Sequence, residues 1–279
     1  MARSKNDACG KGCRMSDVLL SASEISIVFG GLRAVSGFSC ELKQGELVGL
    51  IGPNGAGKTT VFNMLSGVYT PTEGSICFTD ARGKTHNAHA MKPYQLSKIG
   101  VARTFQNIRL FGNLSVEDNV LIGMHAQRGI TPLDAIFRTP RFYRDEARLR
   151  AKTLELLALF RIDSKKDELA RNLPYGEQRK LEIVRALATN PRLLLLDEPA
   201  AGMNPQETQE LMELIAFIRK QFALTILLIE HDMKLVMGIC ERLVVLDYGR
   251  IIASGNPAEI KNNPAVIKAY LGEEAMIDA

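Results

Sequence analysis

The chain has 279 residues, enough to bury a sizeable core as one two-lobed domain or as two small ones. Its 46% apolar and 24% charged residues exclude a disordered or fibrous protein. The 35 basic and 31 acidic residues leave a net charge of +4, a mild excess that fits an anionic lipid surface or an acidic partner.

Residues 1–17 read as a flexible tail. Its charges (Arg3, Lys5, Lys11, Arg14) have no apolar stretch behind them, so a signal peptide is not expected. Strand-like segments follow at residues 24–29 and 46–51, the second running into a Gly-rich turn. A helix is predicted from Lys58, with Val61, Met64 and Leu65 on one face. His86 and His89 read as an exposed loop, and these two and His125 have no evident partners. Over residues 107–172 strong β runs vanish, and Leu149, Thr153, Leu156, Leu157 and Phe160 mark a helical stripe. Residues 193–196 form an unbroken apolar run of the kind buried on both faces of a parallel sheet. A helix face at Leu211, Leu214, Ile215 and Ile218 leads to a strand at residues 225–229. Residues 243–252, interrupted by Asp247, Tyr248 and Gly249, read as a hairpin. These apolar runs are far too short to cross a bilayer. The five cysteines, an odd count, predict no disulfide framework. The expected organisation is an α/β nucleotide-binding core in two parts, residues 18–106 and 173–255, with a helical subdomain at 107–172 and a helical tail at 256–279.

Gly52-Pro53-Asn54-Gly55-Ala56-Gly57-Lys58-Thr59 matches the P-loop pattern G-x-x-x-x-G-K-[ST] between a predicted strand and a predicted helix. Its glycines let backbone N–H groups converge on phosphate oxygens, and the helix start adds partial positive charge. Lys58 then reaches the β- and γ-phosphates and the Thr59 hydroxyl ligates Mg²⁺. Asn54, Gly55, Ala56, Gly57 and Thr60 complete the expected nucleotide contacts.

Asp197 and Glu198 follow the apolar run at 193–196, where open α/β sheets place ligands. Asp197 suits the Walker B role, holding Mg²⁺ through water. Glu198 suits polarisation of the attacking water, because phosphoryl transfer needs chiefly positioning and charge neutralisation. His231 follows the strand at 225–229 and can reach the γ-phosphate.

In this order, the motifs resemble those of the ABC ATPase family over residues 19–272. Arg103-Thr104-Phe105-Gln106 looks like the Q-loop, Leu173-Pro174-Tyr175-Gly176-Glu177-Gln178 like the signature, Ala201-Gly202-Met203-Asn204 like the D-loop, and His231 like the switch histidine. The resemblance implies a cassette with a RecA-like mixed sheet core, an antiparallel β subdomain and an inserted helical subdomain. It implies that Phe29 stacks on adenine and that Gln106 contacts Mg²⁺ and the attacking water while its segment touches a membrane subunit. It also implies that Pro174, Tyr175, Gly176 and Glu177 meet the ATP held by a partner cassette. Two motifs depart from the family pattern, and in the signature Tyr175 stands where the first glycine is usual. Pro174 stands where a serine is usual and has neither hydroxyl nor N–H to offer. Asn204 stands where an aspartate is usual and lacks its charge.

Thr104-Phe105-Gln106-Asn107, Leu110-Phe111, the run from Tyr175 to Arg179 and the ending from Asn263 to Gly272 are similar to the branched-chain amino acid importers. That likeness implies an ATPase acting at the cytoplasmic face of the inner membrane. Its partners would be a second ABC ATPase subunit, two permeases and, indirectly, a periplasmic amino-acid-binding protein. Urea or amide importers, lipopolysaccharide export and soluble non-transport ABC ATPases are the alternatives. A small-molecule kinase or GTPase explains the P-loop but not Gln106, Gly176 and His231 together. No basic cluster with interleaved aromatics is read in the sequence, so nucleic acid is not an expected partner.

Overall fold

A computed structural model describes residues 17–127 and 131–277, so the tail expected at residues 1–17 lies almost wholly outside the described residues. The chain opens with a long antiparallel pair, β1 (Val18–Phe29) and β2 (Leu32–Lys43), turned by Gly30 and Gly31 in left-handed conformations. With β4 (Glu73–Thr79) and β5 (Thr85–Asn87) they make a four-stranded sheet in the order β2-β1-β4-β5. His86 lies in this sheet, half-buried, and its Nε2 is 2.7 Å from Asp80 Oδ2. The exposed, partnerless loop expected there is therefore corrected: the hydrogen bond and the strand pairing hold the ring in place. Cys77 on β4 is disulfide-bonded, whereas Cys40 and Cys240 are free thiols.

The second sheet has six strands in the order β10-β9-β3-β8-β7-β6: β3 (Leu47–Ile51), β6 (Val101–Arg103), β7 (Leu193–Asp197), β8 (Thr225–Ile229), β9 (Arg242–Asp247) and β10 (Arg250–Gly255). Every pairing in it is parallel except β9 with β10. Both faces are covered, which is why its central strands read as unbroken apolar runs. Leu194, Leu196, Ile226 and Leu228 join one core, which includes Leu149, Leu157 and Phe160 of the predicted helical stripe. Leu193, Leu195, Leu227 and Ile229 join the other, with Phe38, Phe62 and Phe78. Strand alternation thus splits each run between the two cores.

Helices connect the strands: α1 (Lys58–Leu65) follows β3, and α2 (Pro93–Ile99) precedes β6. Between β6 and β7 the chain is helical, through α3 (Val116–Gly123), α4 (Pro132–Ile136), α5 (Pro140–Leu159) and α6 (Tyr175–Leu187). Then α7 (Pro205–Gln221) links β7 to β8, and α8 (Met233–Ile239) links β8 to β9. After β10, α9 (Pro257–Lys261) and α10 (Pro264–Ile277) end the described chain. Among the described residues, no helix is long and apolar enough to cross a membrane.

Candidate functional site

Four loops leave the carboxyl ends of neighbouring parallel strands β3, β8, β7 and β6, the edge at which such sheets bind ligands. Gly52 leaves β3 where a Cβ would sit 2.0 Å from the Leu246 carbonyl oxygen, so only glycine fits. Gly57 is the N-cap of α1 with φ of 100°, a left-handed turn that starts the helix directly at Lys58. No acidic residue lies in the first turn of α1, so its N-terminal partial charge is not neutralised locally. Lys58 is buried, and its Nζ donates to the carbonyls of Gly52 at 2.6 Å and Pro53 at 2.8 Å. Ala56 is buried, whereas Asn54, Gly55 and Thr59 are exposed and Thr60 is half-buried.

At the end of β7, Asp197 is buried and its Oδ2 accepts a hydrogen bond from Arg103 at 2.9 Å. Its Oδ1 is buried and accepts no hydrogen bond. Burial raises the Asp197 pKa above the ordinary carboxylate range, and the Arg103 guanidinium opposes that rise. Arg103 also donates to Asn63 Oδ1 at 2.7 Å and Ser66 Oγ at 2.8 Å, tying β6 and β7 to α1. Its guanidinium stacks near the rings of Phe62 and Phe105. The sequence reading missed this role. The available signal was an arginine ending a short apolar run, since a buried arginine requires a partner.

Glu198 follows with φ of 46°, a left-handed conformation costing a non-glycine residue about 1–2 kcal/mol. Its N–H donates to the Ile229 carbonyl at 3.0 Å, fixing it to β8. Both carboxylate oxygens are engaged: Oε1 lies 2.5 Å from His231 Nε2, and Oε2 accepts from Gln106 Nε2 at 2.9 Å. The fold thus joins three of the residues singled out in the sequence. Glu230, which the sequence reading passed over, is buried beside them. It accepts from the Ala200 N–H at 2.9 Å and the His231 N–H at 3.2 Å, and burial raises its pKa.

The signature and D-loop residues pack on each other. Pro174 is the N-cap residue of α6, and the Tyr175 ring lies against Gly202, where an added Cβ would be 3.2 Å from Tyr175 Cε1. Gly176 faces Glu207, and Glu177 pairs with Lys165 at 2.7 Å. Met203 packs against one apolar core. Asn204 caps α7: its side chain accepts from the Glu207 N–H at 2.9 Å, and the Glu207 carboxylate accepts from the Asn204 N–H at 3.1 Å. The neutral side chain at the usual aspartate position therefore makes a complete capping box. The pattern Asn-x-x-Glu was legible in the sequence and went unused. Arg179 on α6 is buried and donates to the carbonyls of Phe105, at 2.7 Å, and Gln106, and to the Tyr175 hydroxyl at 3.2 Å. The signature helix and the Gln106 segment are so tied together.

Phe29 is 43% exposed at the end of β1, with its ring edge-on to Tyr69 at 5.2 Å between centroids. It is an exposed aromatic and not a core side chain. A groove of about 1050 Å³ runs from Thr59 and Asp197 past Phe105 and Leu110 to Ile122 and Gly123.

The family pattern of ABC transporters matches residues 35–201, and that of branched-chain amino acid ATP-binding cassette transporters matches residues 250–276. The high-affinity branched-chain amino acid transport ATP-binding protein LivG of Escherichia coli is 49% identical, covering 93% of this chain and all of LivG. BraF of Pseudomonas aeruginosa, described in the same words, is 44% identical over 93% of this chain and all of BraF. The lipopolysaccharide export ATP-binding protein LptB of Haemophilus influenzae is 31% identical over 92% of this chain and 98% of LptB. The ADP conformation of MJ1267, an ATP-binding cassette of an ABC transporter, superimposes with a TM-score of 0.77 at 29% identity, covering 91% of this chain and 99% of MJ1267. With a P-loop, a buried aspartate and a Gln–Glu–His cluster on one sheet edge, and with likeness over nearly its whole length, this chain belongs to the ABC transporter family as one of its ATP-hydrolysing cassettes.

Proposed function

We propose that the chain energises an importer of branched-chain amino acids, working at the cytoplasmic face of the inner membrane with a second cassette and two permeases. The observation that carries this reading is the full-length likeness to LivG, extended by the specific match at residues 250–276. Purification from detergent-solubilised membranes tests it. The expected companions are two permeases and a second ABC ATPase, and loss of the chain should abolish uptake of labelled leucine, isoleucine and valine. Companions belonging to a lipopolysaccharide exporter, or unaltered uptake, would overturn it.

In the proposed mechanism, the N–H groups from Asn54 to Thr60 and the start of α1 hold the phosphates, and Lys58 turns from the Gly52 and Pro53 carbonyls to the β- and γ-phosphates. Mg²⁺, when bound, neutralises charge on the phosphate oxygens. Asp197 Oδ1, buried without a hydrogen bond, suits a metal-bound water, and Thr59 and Gln106 line the same groove. Glu198 orients the attacking water and takes its proton, while His231 and Gln106 hold the carboxylate in position. Pro174 to Glu177 would complete the partner's site through the N–H groups at the start of α6.

Phe29 would stack on adenine. Base–aromatic stacking in nucleic-acid binding is worth about 1–3 kcal/mol, and one exposed ring should supply the low end. Phe29→Ala should weaken ATP binding several-fold in titrations with a fluorescent nucleotide and leave the bound-state hydrolysis rate nearly unchanged. Unaltered affinity would remove the stacking role.

The groove beside Leu110 and Phe111 would receive a cytoplasmic helix of a permease. Leu110→Asp should strip the chain from its permeases or sever hydrolysis from transport. Wild-type uptake by reconstituted vesicles carrying this variant would place the contact elsewhere.

A further inference from the structure

An exposed apolar face lies on α4. Leu133, Ile136 and Phe137 are 63%, 72% and 74% exposed, and their spacing sets them on one side of α4. Tyr143, in the first turns of α5, is also exposed. The main packing partner of α4 is α5, and that contact leaves these side chains uncovered.

The charge around this face is one-sided. Residues 131–152 hold six basic side chains against three acidic ones, and so carry three of the chain's four net positive charges. The acids are already engaged. Asp134 accepts from the Thr131 N–H and hydroxyl and from the Thr139 hydroxyl and interacts with the Arg141 charge, Asp145 pairs with Arg148, and Glu146 with Arg150. Arg138 and Arg144 are exposed and follow the apolar residues closely in the chain. In this stretch Phe137, Phe142 and Tyr143 are interleaved with Arg138, Arg141 and Arg144, a local pattern that the sequence reading passed over. Gly123 lines the groove described above, and the nine residues from it to Pro132 keep α4 within about 32 Å of that wall.

We propose that this face of α4 and the first turns of α5 rest on an anionic membrane surface. Leu133, Ile136 and Phe137 enter the boundary between headgroups and acyl chains, and Arg138 and Arg144 pair with lipid phosphates. A bilayer supplies both an apolar layer and a continuous array of phosphates, which matches three protruding apolar side chains fringed by arginines. Nucleic acid would match the charge, but Leu133 and Ile136 have no flat face to stack on a base. The proposal rests on the reading that the chain works beside a membrane and uses no feature of the ATP site.

Flotation of the purified full-length chain with lipid vesicles is the test. The wild type should float with vesicles rich in phosphatidylglycerol, remain behind with pure phosphatidylcholine, and be released by salt. Ile136→Ser/Phe137→Ser and Arg138→Gln/Arg144→Gln should each lower vesicle affinity about tenfold, with ATP affinity unchanged as evidence of an intact fold. Flotation of both double variants like the wild type would overturn the proposal. So would a wild type that ignores anionic vesicles, is displaced from them by RNA, or floats only when permease is present. Vesicle binding that persists although no permease co-purifies would sink the transport reading and leave this one standing.

Discussion

Glu198→Gln is expected to preserve ATP binding and to slow steady-state hydrolysis by about 10²- to 10⁴-fold, the range associated with loss of a positioned general base. The replacement is close to isosteric, and glutamine adopts the left-handed backbone at φ 46° no less readily than glutamate, so the turn after β7 should survive. The chemistry does not survive. An amide cannot take a proton from water, and it also breaks the hydrogen-bond pattern around the side chain. Oε1 lies 2.5 Å from His231 Nε2 and Oε2 accepts from Gln106 Nε2, so one of the two positions would now carry an NH₂ group. Nucleotide titration and turnover measured in the assembled transporter separate the two effects. Turnover within twofold of wild type would remove Glu198 from the water-activating role.

Arg103→Met should have the largest effect on folding. Arg103 and Asp197 are both nearly inaccessible, and removing one partner of a buried ion pair costs about 3–5 kcal/mol because the other charge stays behind. Asn63 also loses its hydrogen bond from Arg103, whereas Ser66 keeps one to the Phe62 carbonyl. Denaturant unfolding of the single variant should show a loss of this size, and Arg103→Met/Asp197→Asn should recover part of it by removing the stranded carboxylate. A single variant within about 1 kcal/mol of wild type, or a double variant that recovers nothing, would mean that the pair contributes little to stability.

The elements legible in the sequence share a physical cause: each writes its environment into a local pattern. The run at residues 193–196 is unbroken because β7 is covered on both sides, and 225–229 repeats the pattern in β8. The P-loop was legible because a close turn leaves no room for a side chain at Gly52 and demands a left-handed residue at Gly57. Elements without such a pattern escaped. β5 and β6 have three residues each, too few to show a period, and β2 is irregular in register and partly exposed.

The residue types needed for ATP chemistry were therefore visible in the sequence, and so was their order along the chain. Only the tertiary structure decided which of them meet. Gln106 and Glu198 are 92 positions apart, Arg103 and Asp197 are 94 apart, and Glu198 and His231 are 33 apart. Each pair forms because β6, β7 and β8 lie side by side in parallel and end at a common edge. The same holds for the hydrogen bonds of Arg179 with the Phe105 and Gln106 carbonyls and of Glu230 with the Ala200 N–H. A side chain's charge and size are properties of its own position. Whether it is buried, paired or left facing outward depends on which distant segments fold against it, and local periodicity carries no record of that.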